Sequence, residues 1–266
     1  MNITLAMLLK IIIAIEFYFL YGKWSFDLLS GNGIEWFFLV IACYSVITYC
    51  FRDFNKFYIL FFSIALGLFS GLDKNIGDLL ACSRIIVFYP FFLLGTIIKK
   101  DIILKLKAKK TVLLISVFVV MLYLFLCFVK IDSLYILRHL FTGRNPFSEK
   151  IRDIGPLYRI ATYFISTIIG FCLLMISPKQ NIPIISKFGK NTAQVYFWHY
   201  LIVRILTANN VHIKLLRWNS YLGFVIYIII AVLITLLLSL DVFSFPMTQV
   251  NKYISKEKNN KNEVIE

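Results

Sequence analysis

The residues with chemical potential in this chain are polar side chains set inside apolar runs. Arg84 opens one such run, Arg159 lies in the first turn of another, and Arg204 sits in the last third of a third. A guanidinium pairs bidentately with carboxylate or phosphate, and burying one without a partner is costly. The three arginines therefore either bind an anionic or polar ligand or snorkel to headgroups at the ends of their helices. Around residue 199 the sequence reads NTAQVYFWHY, which places Thr192, Tyr196 and His199 at i, i+4 and i+7. On a helix these fall within about 60° of one another, forming a polar stripe toward a bundle interior. A histidine there can exchange protons near neutral pH, with Tyr196 one turn away to orient it, or it can serve as a structural hydrogen-bonding group between helices.

Lys10 and Glu16 share the first apolar run but lie six residues apart, about 120° around a helix, so each needs a partner elsewhere. No nucleophile motif, P-loop, glycine fingerprint or His/Cys metal cluster occurs, so the chemistry expected is proton transfer and positioning, with no metal. The cysteines at 43, 50, 82, 127 and 172 show no C-x-x-C spacing, and neither a disulfide framework nor a metal site is expected from them.

The elements that must position these groups are membrane helices. The chain has 266 residues, is 60% hydrophobic and carries 17% aromatic residues, well above the roughly 45–50% apolar content of a soluble domain. Apolar runs near the roughly 20 residues a span requires occur at 4–21, 34–51, 57–72, 84–98, 111–130, 156–176, 191–208 and 221–240. The expected fold is all-α, a polytopic transmembrane bundle of about eight spanning helices. It occupies residues 1–250 and is followed by a charged cytoplasmic tail at 251–266. The third and fourth runs are short, and Gly67 and Pro90 are candidate breaks. The first run lacks a basic n-region and a small-residue cleavage site, so the first helix is expected to remain as a span.

The net charge of +14 would suggest nucleic acid in a soluble chain, but here the basic residues separate apolar runs and set orientation, so no nucleic-acid partner is expected. The densest clusters, KKDIILKLKAKK from Lys99 and the tail from Lys252, are expected inside. That places both termini in the cytoplasm and all three arginines in the outer half of a multi-pass cell-membrane protein. The longest outer loop, 131–155, either covers an outward-facing cavity or is a solvated connector.

Four segments in this order resemble the integral-membrane acyltransferase 3 family, in particular its sugar O-acetyltransferase branch with the fucose 4-O-acetylase-like proteins. They are EWFFL from Glu35, SRIIVFYPFFLLG from Ser83, LYRIATY from Leu157 and FGKNTAQVYFWH from Phe188. The second and fourth are fairly specific as a pair. Members of that family generally begin with an arginine-bearing helix ending in a histidine taken to be the catalytic base. The histidines here are His139, His199 and His212, and one helix precedes Trp36. The resemblance thus runs from about Trp36 onward, and a separately encoded amino-terminal portion is an expected partner.

The resemblance implies transfer of an acetyl or similar acyl group from acetyl-CoA or another acyl-CoA to a hydroxyl of a surface saccharide, such as a capsule or lipopolysaccharide unit. On that basis His199 and Arg84 are the candidate catalytic residues. Trp36, Arg159, Thr192, Tyr196 and Arg204 are the candidate substrate-binding residues. Lys99 and Lys100 are candidates for the coenzyme A phosphates, although the lysine cluster is equally accounted for by topology. A non-catalytic remnant or accessory subunit, and a polysaccharide transporter or polymerase, are the alternative functions.

Overall fold

The computed structural model describes residues 2–27, 29–30, 33–74, 76–77 and 79–249, so the tail expected at 251–266 lies outside the described residues. The described residues fall into two compact units. One is drawn from Met1–Leu28, Gly33–Phe38 and Asn181–Glu266, the other from Leu29–Asn32 and Leu39–Gln180.

Every apolar run becomes a helix, and among the described residues there is no strand, so the fold is all-α. In chain order the helices are α1 (Asn2–Tyr21), α2 (Trp36–Cys50), α3 (Lys56–Phe69), α4 (Cys82–Ile97), α5 (Lys100–Ala108), α6 (Lys110–Val129), α7 (Ile131–Phe141), α8 (Gly155–Ile176), α9 (Pro183–Lys190), α10 (Thr192–Ala208), α11 (Val211–Trp218) and α12 (Ser220–Leu238). By length and composition α1, α6, α8 and α12 can each cross a membrane, whereas α2 and α3 are shorter apolar helices. With 14 residues, α3 spans only about 21 Å at 1.5 Å per residue, less than the hydrocarbon thickness of about 30 Å.

The α4–α5 pair meets the criteria for a span only when taken together, and the two are bent by 79° across Ile98 and Lys99. The cause is compositional. After Ile98 the sequence changes from continuous apolar residues to alternating lysines and leucines, a pattern that suits an interface better than hydrocarbon. Pro90 sits inside α4 without ending it. The loop expected at 131–155 instead begins with α7, whose ILRHLF end has helical apolar spacing; Gly143, at φ +63°, lies in the left-handed region just beyond it.

In the larger unit α3 packs on α4 and α8, while α8 also contacts α5, α6 and α7. Phe147 anchors this packing. Its ring fills the space where Cβ atoms on Gly71 and Gly155 would sit, and its amide donates to the Gly71 carbonyl at 2.7 Å. Only glycine permits that approach from both sides. In the smaller unit α10 is the hub, touching α1, α9, α11 and α12. Gln194, buried on α10, donates to the carbonyls of Leu238 and Leu240 at 2.8 and 2.9 Å, and Trp198 Nε1 donates to those of Phe243 and Phe245. These side chains cap carbonyls at the end of α12 and in the turn that follows it.

Candidate active site

In the larger unit Arg84 and Arg159 are both buried, at 9% and 0% exposure. Arg84 enters α4 behind Leu80 and Ala81, which have φ of 48° and 55°, a conformation costly for residues with a Cβ. That turn is held by Leu80 N–H donating to the Leu29 carbonyl at 2.6 Å and by Ser83 Oγ donating to the Gly143 carbonyl at 2.6 Å. The Arg84 carbonyl accepts the Tyr44 hydroxyl at 3.1 Å. Arg159, one turn into α8, donates from Nη1 to the carbonyl of Leu140 near the end of α7 and lies 5.4 Å from the Phe147 ring centroid. Among the described residues its Nε and Nη2 have no partner.

A cavity of about 460 Å³ in this unit lies among Phe51, Tyr58, Phe62, Ser63, Ile85 and Tyr89. No charged side chain lines it, so its walls suit hydrocarbon. Lys99 and Lys100 are exposed at the α4–α5 bend, and Lys107 of the same cluster donates to Ser177 Oγ at 2.7 Å.

The smaller unit holds the remaining candidates. The His199 Nδ1 lies 3.0 Å from the Val195 carbonyl. A carbonyl can only accept, so Nδ1 carries the proton in the neutral ring and Nε2 is left as the basic nitrogen. The ring lines a cavity of about 130 Å³ between α10 and α12, together with Tyr227 and Thr235. Tyr196 does not orient His199 through its hydroxyl, which donates to the Ile34 carbonyl at 2.8 Å; the two rings are 5.6 Å apart between centroids. Phe37 and Phe38 pack on Tyr196, and Trp36 stands edge-on to Phe37. Thr192 is exposed and donates to the Gly189 carbonyl at 2.6 Å.

Arg204 already has an acidic partner. Its Nη1 is 3.4 Å from Glu16 Oε2 and 3.3 Å from the Ile13 carbonyl, with Phe17 and Tyr200 flanking the guanidinium. Lys10, the other charged residue of α1, meets the buried Glu35 at 3.8 Å and donates to the Asp27 carbonyl at 3.0 Å. Sequence reasoning required a partner for both α1 charges but identified neither, because pairs so distant along the chain leave no spacing signal. Glu35 was visible only as a charge just before an apolar run. Among the described residues no group of His, Cys, Asp and Glu is arranged to hold a metal ion.

Several apolar helices long enough to cross a bilayer define a multi-pass membrane protein. The family model described as an acyltransferase domain, acyltransferase 3, matches residues 2–240, and the chain belongs to that family of membrane acyltransferases. No curated protein and no solved structure matches it.

Proposed function

We propose that the chain is a membrane O-acyltransferase that moves an acetyl or similar acyl group from acyl-CoA to a hydroxyl of a cell-surface saccharide. The observation that carries this reading is the acyltransferase match across residues 2–240, to which the geometry adds a poised base. Attack by a hydroxyl on a thioester carbonyl needs a base to take the hydroxyl proton and a donor for the developing oxyanion. His199 is the proposed base: its Nδ1 proton is committed to Val195, which leaves Nε2 free to accept one, and the ring lines the α10–α12 cavity. The proton then passes to the departing coenzyme A thiolate, leaving an ester on the saccharide and free coenzyme A.

Arg84 and Arg159 are the cationic groups assigned to negative or polar parts of the substrates, and Arg159 has the stronger geometric support because two of its nitrogens are unengaged. Arg204 acts through its pairing with Glu16 to hold α10, and with it His199, against α1. Trp36, Tyr196 and Thr192 border this unit's polar stripe on the acceptor side. Lys99 and Lys100, exposed and cationic, are assigned to the coenzyme A phosphates on the cytoplasmic face, with both termini on that face.

The test is the acetyl-ester content of the surface polysaccharide. Deletion of the gene is expected to remove the esters, with the full chain restoring them and His199→Ala failing to do so. Acetylation unchanged by the deletion overturns the reading.

A further inference from the structure

Arg159 differs from Lys10 and Arg204 in having no acidic neighbour among the described residues. Lys10 faces Glu35 and Arg204 faces Glu16. Arg159 is wholly buried, and among the described residues its compensation comes from the Leu140 carbonyl and the face of Phe147. The carbonyl lies in the last turn of α7, where the helix dipole places about half a negative charge. A neutral guanidine is not available as an escape, since arginine keeps its proton in proteins. A residual positive charge therefore stays in a low-dielectric interior, where it costs several kcal/mol unless a counter-charge joins it.

The side chain also faces a space for that counter-charge. A cavity of about 10 Å³ lies against Arg159, walled by Val87, Phe91, Leu140, Thr162 and Tyr163. That is room for one water-sized group. Two of the three wall hydroxyls are committed elsewhere, since Thr162 gives its proton to the Arg159 carbonyl at 2.9 Å and Tyr163 gives its own to the Val87 carbonyl at 2.9 Å; Ser166 is the third and can join the guanidinium as a donor. The unengaged donors of the guanidinium are Nε and Nη2, adjacent atoms on one edge of the plane, the edge that grips a single anionic atom or a carboxylate.

We propose that Arg159 and this cavity form a binding site for a small monovalent anion, one anionic atom of which enters the cavity and is held by Nε–H and Nη2–H. The inference concerns a residue also used in the acyltransferase proposal but does not depend on it, because anion binding is measured without any acyl donor. A halide and the carboxylate of formate or acetate share this chemistry; gluconate carries the same carboxylate on a bulky polyol chain that hinders its approach to a buried site, which makes it the reference anion.

The full chain, purified in detergent and exchanged into sodium gluconate, is titrated with sodium chloride, bromide, formate or acetate at constant ionic strength while its thermal midpoint is followed. The midpoint is expected to climb and saturate with at least one small anion, as a ligand bound only by the folded state requires. Which salts act separates a halide site from a carboxylate site. Arg159→Met is expected to abolish the rise. Broadening of the chloride-35 NMR line by the unsubstituted protein, displaced by the effective anion, supplies a measurement that does not depend on a variant folding. Equal midpoints in gluconate and in all four salts, with no displaceable broadening, would mean that water alone fills the cavity and would overturn the proposal. An undiminished response in a folded Arg159→Met protein would overturn it as well.

Discussion

Arg204 on α10 and Glu16 on α1 form a buried ion pair, Nη1 to Oε2 3.4 Å, with both side chains less than 15% exposed. The pair ties the helix bearing His199 to the first helix of the chain. Such a pair costs most when only half of it is removed, since the survivor is then an uncompensated charge. Glu16→Gln or Arg204→Met alone is expected to destabilise the protein by about 3 kcal/mol, and the double replacement by clearly less than the sum of the two. Thermal or denaturant unfolding in detergent gives the cycle; additive losses would show that the two side chains do not interact.

His199 and Tyr196 lie one turn apart yet bond to different carbonyls, those of Val195 and Ile34, and the proposal gives them different jobs. His199→Ala is expected to lower acyl transfer by about 10²–10⁴-fold, the range for loss of a general base. Tyr196→Phe removes a bond to the Ile34 carbonyl and is expected to cost about 1 kcal/mol of stability with transfer changed only a few-fold. Rates per folded molecule distinguish the two, and a collapse of transfer in Tyr196→Phe would return the hydroxyl to the chemistry.

Phe147 fills the space between Gly71 and Gly155 and underlies Arg159. A Cβ on Gly71 would stand 2.7 Å from the ring tip, closer than van der Waals contact allows. Gly71→Ala is expected to destabilise by about 1–3 kcal/mol, as overpacking of a tight core does, and to weaken any anion response that depends on Arg159. An unshifted midpoint would mean that the ring moves aside freely.

The Glu149 carboxylate, in the loop after α7, is held below the usual carboxylate range by its hydrogen bond to the Lys74 ammonium and by the charge of that group. Because the folded form is the more acidic one, the pair's contribution is present above the ordinary Glu pKa of about 4.3 and fades as pH falls through the lowered folded value. Both groups are exposed, so the effect is small and screened by salt. The midpoint difference between the unsubstituted protein and Glu149→Gln is expected to shrink on acidification and in high salt; a difference that grows toward low pH contradicts the assignment.

The sequence alone determined the membrane-helix architecture, because a run of apolar residues of bilayer length reports burial whatever its neighbours are, and each such run is a helix. It also marked the charged residues set inside apolar runs, Lys10, Glu16, Arg84, Arg159 and Arg204, since charge there is conspicuous. The α4–α5 bend and α7 were less visible: both lie where apolar and basic residues mix, and local composition there fits a loop as well as an interfacial helix. What only the tertiary structure decided is which charges are compensated. Glu16 with Arg204 and Lys10 with Glu35 are pairs between segments far apart in the chain, and no periodicity encodes them. Arg84, Arg159 and Arg204 look equivalent as sequence; packing gives Arg204 a carboxylate and leaves Arg159 a carbonyl, an aromatic face and a cavity, because an electrostatic partner is chosen by distance in space and not by position along the chain.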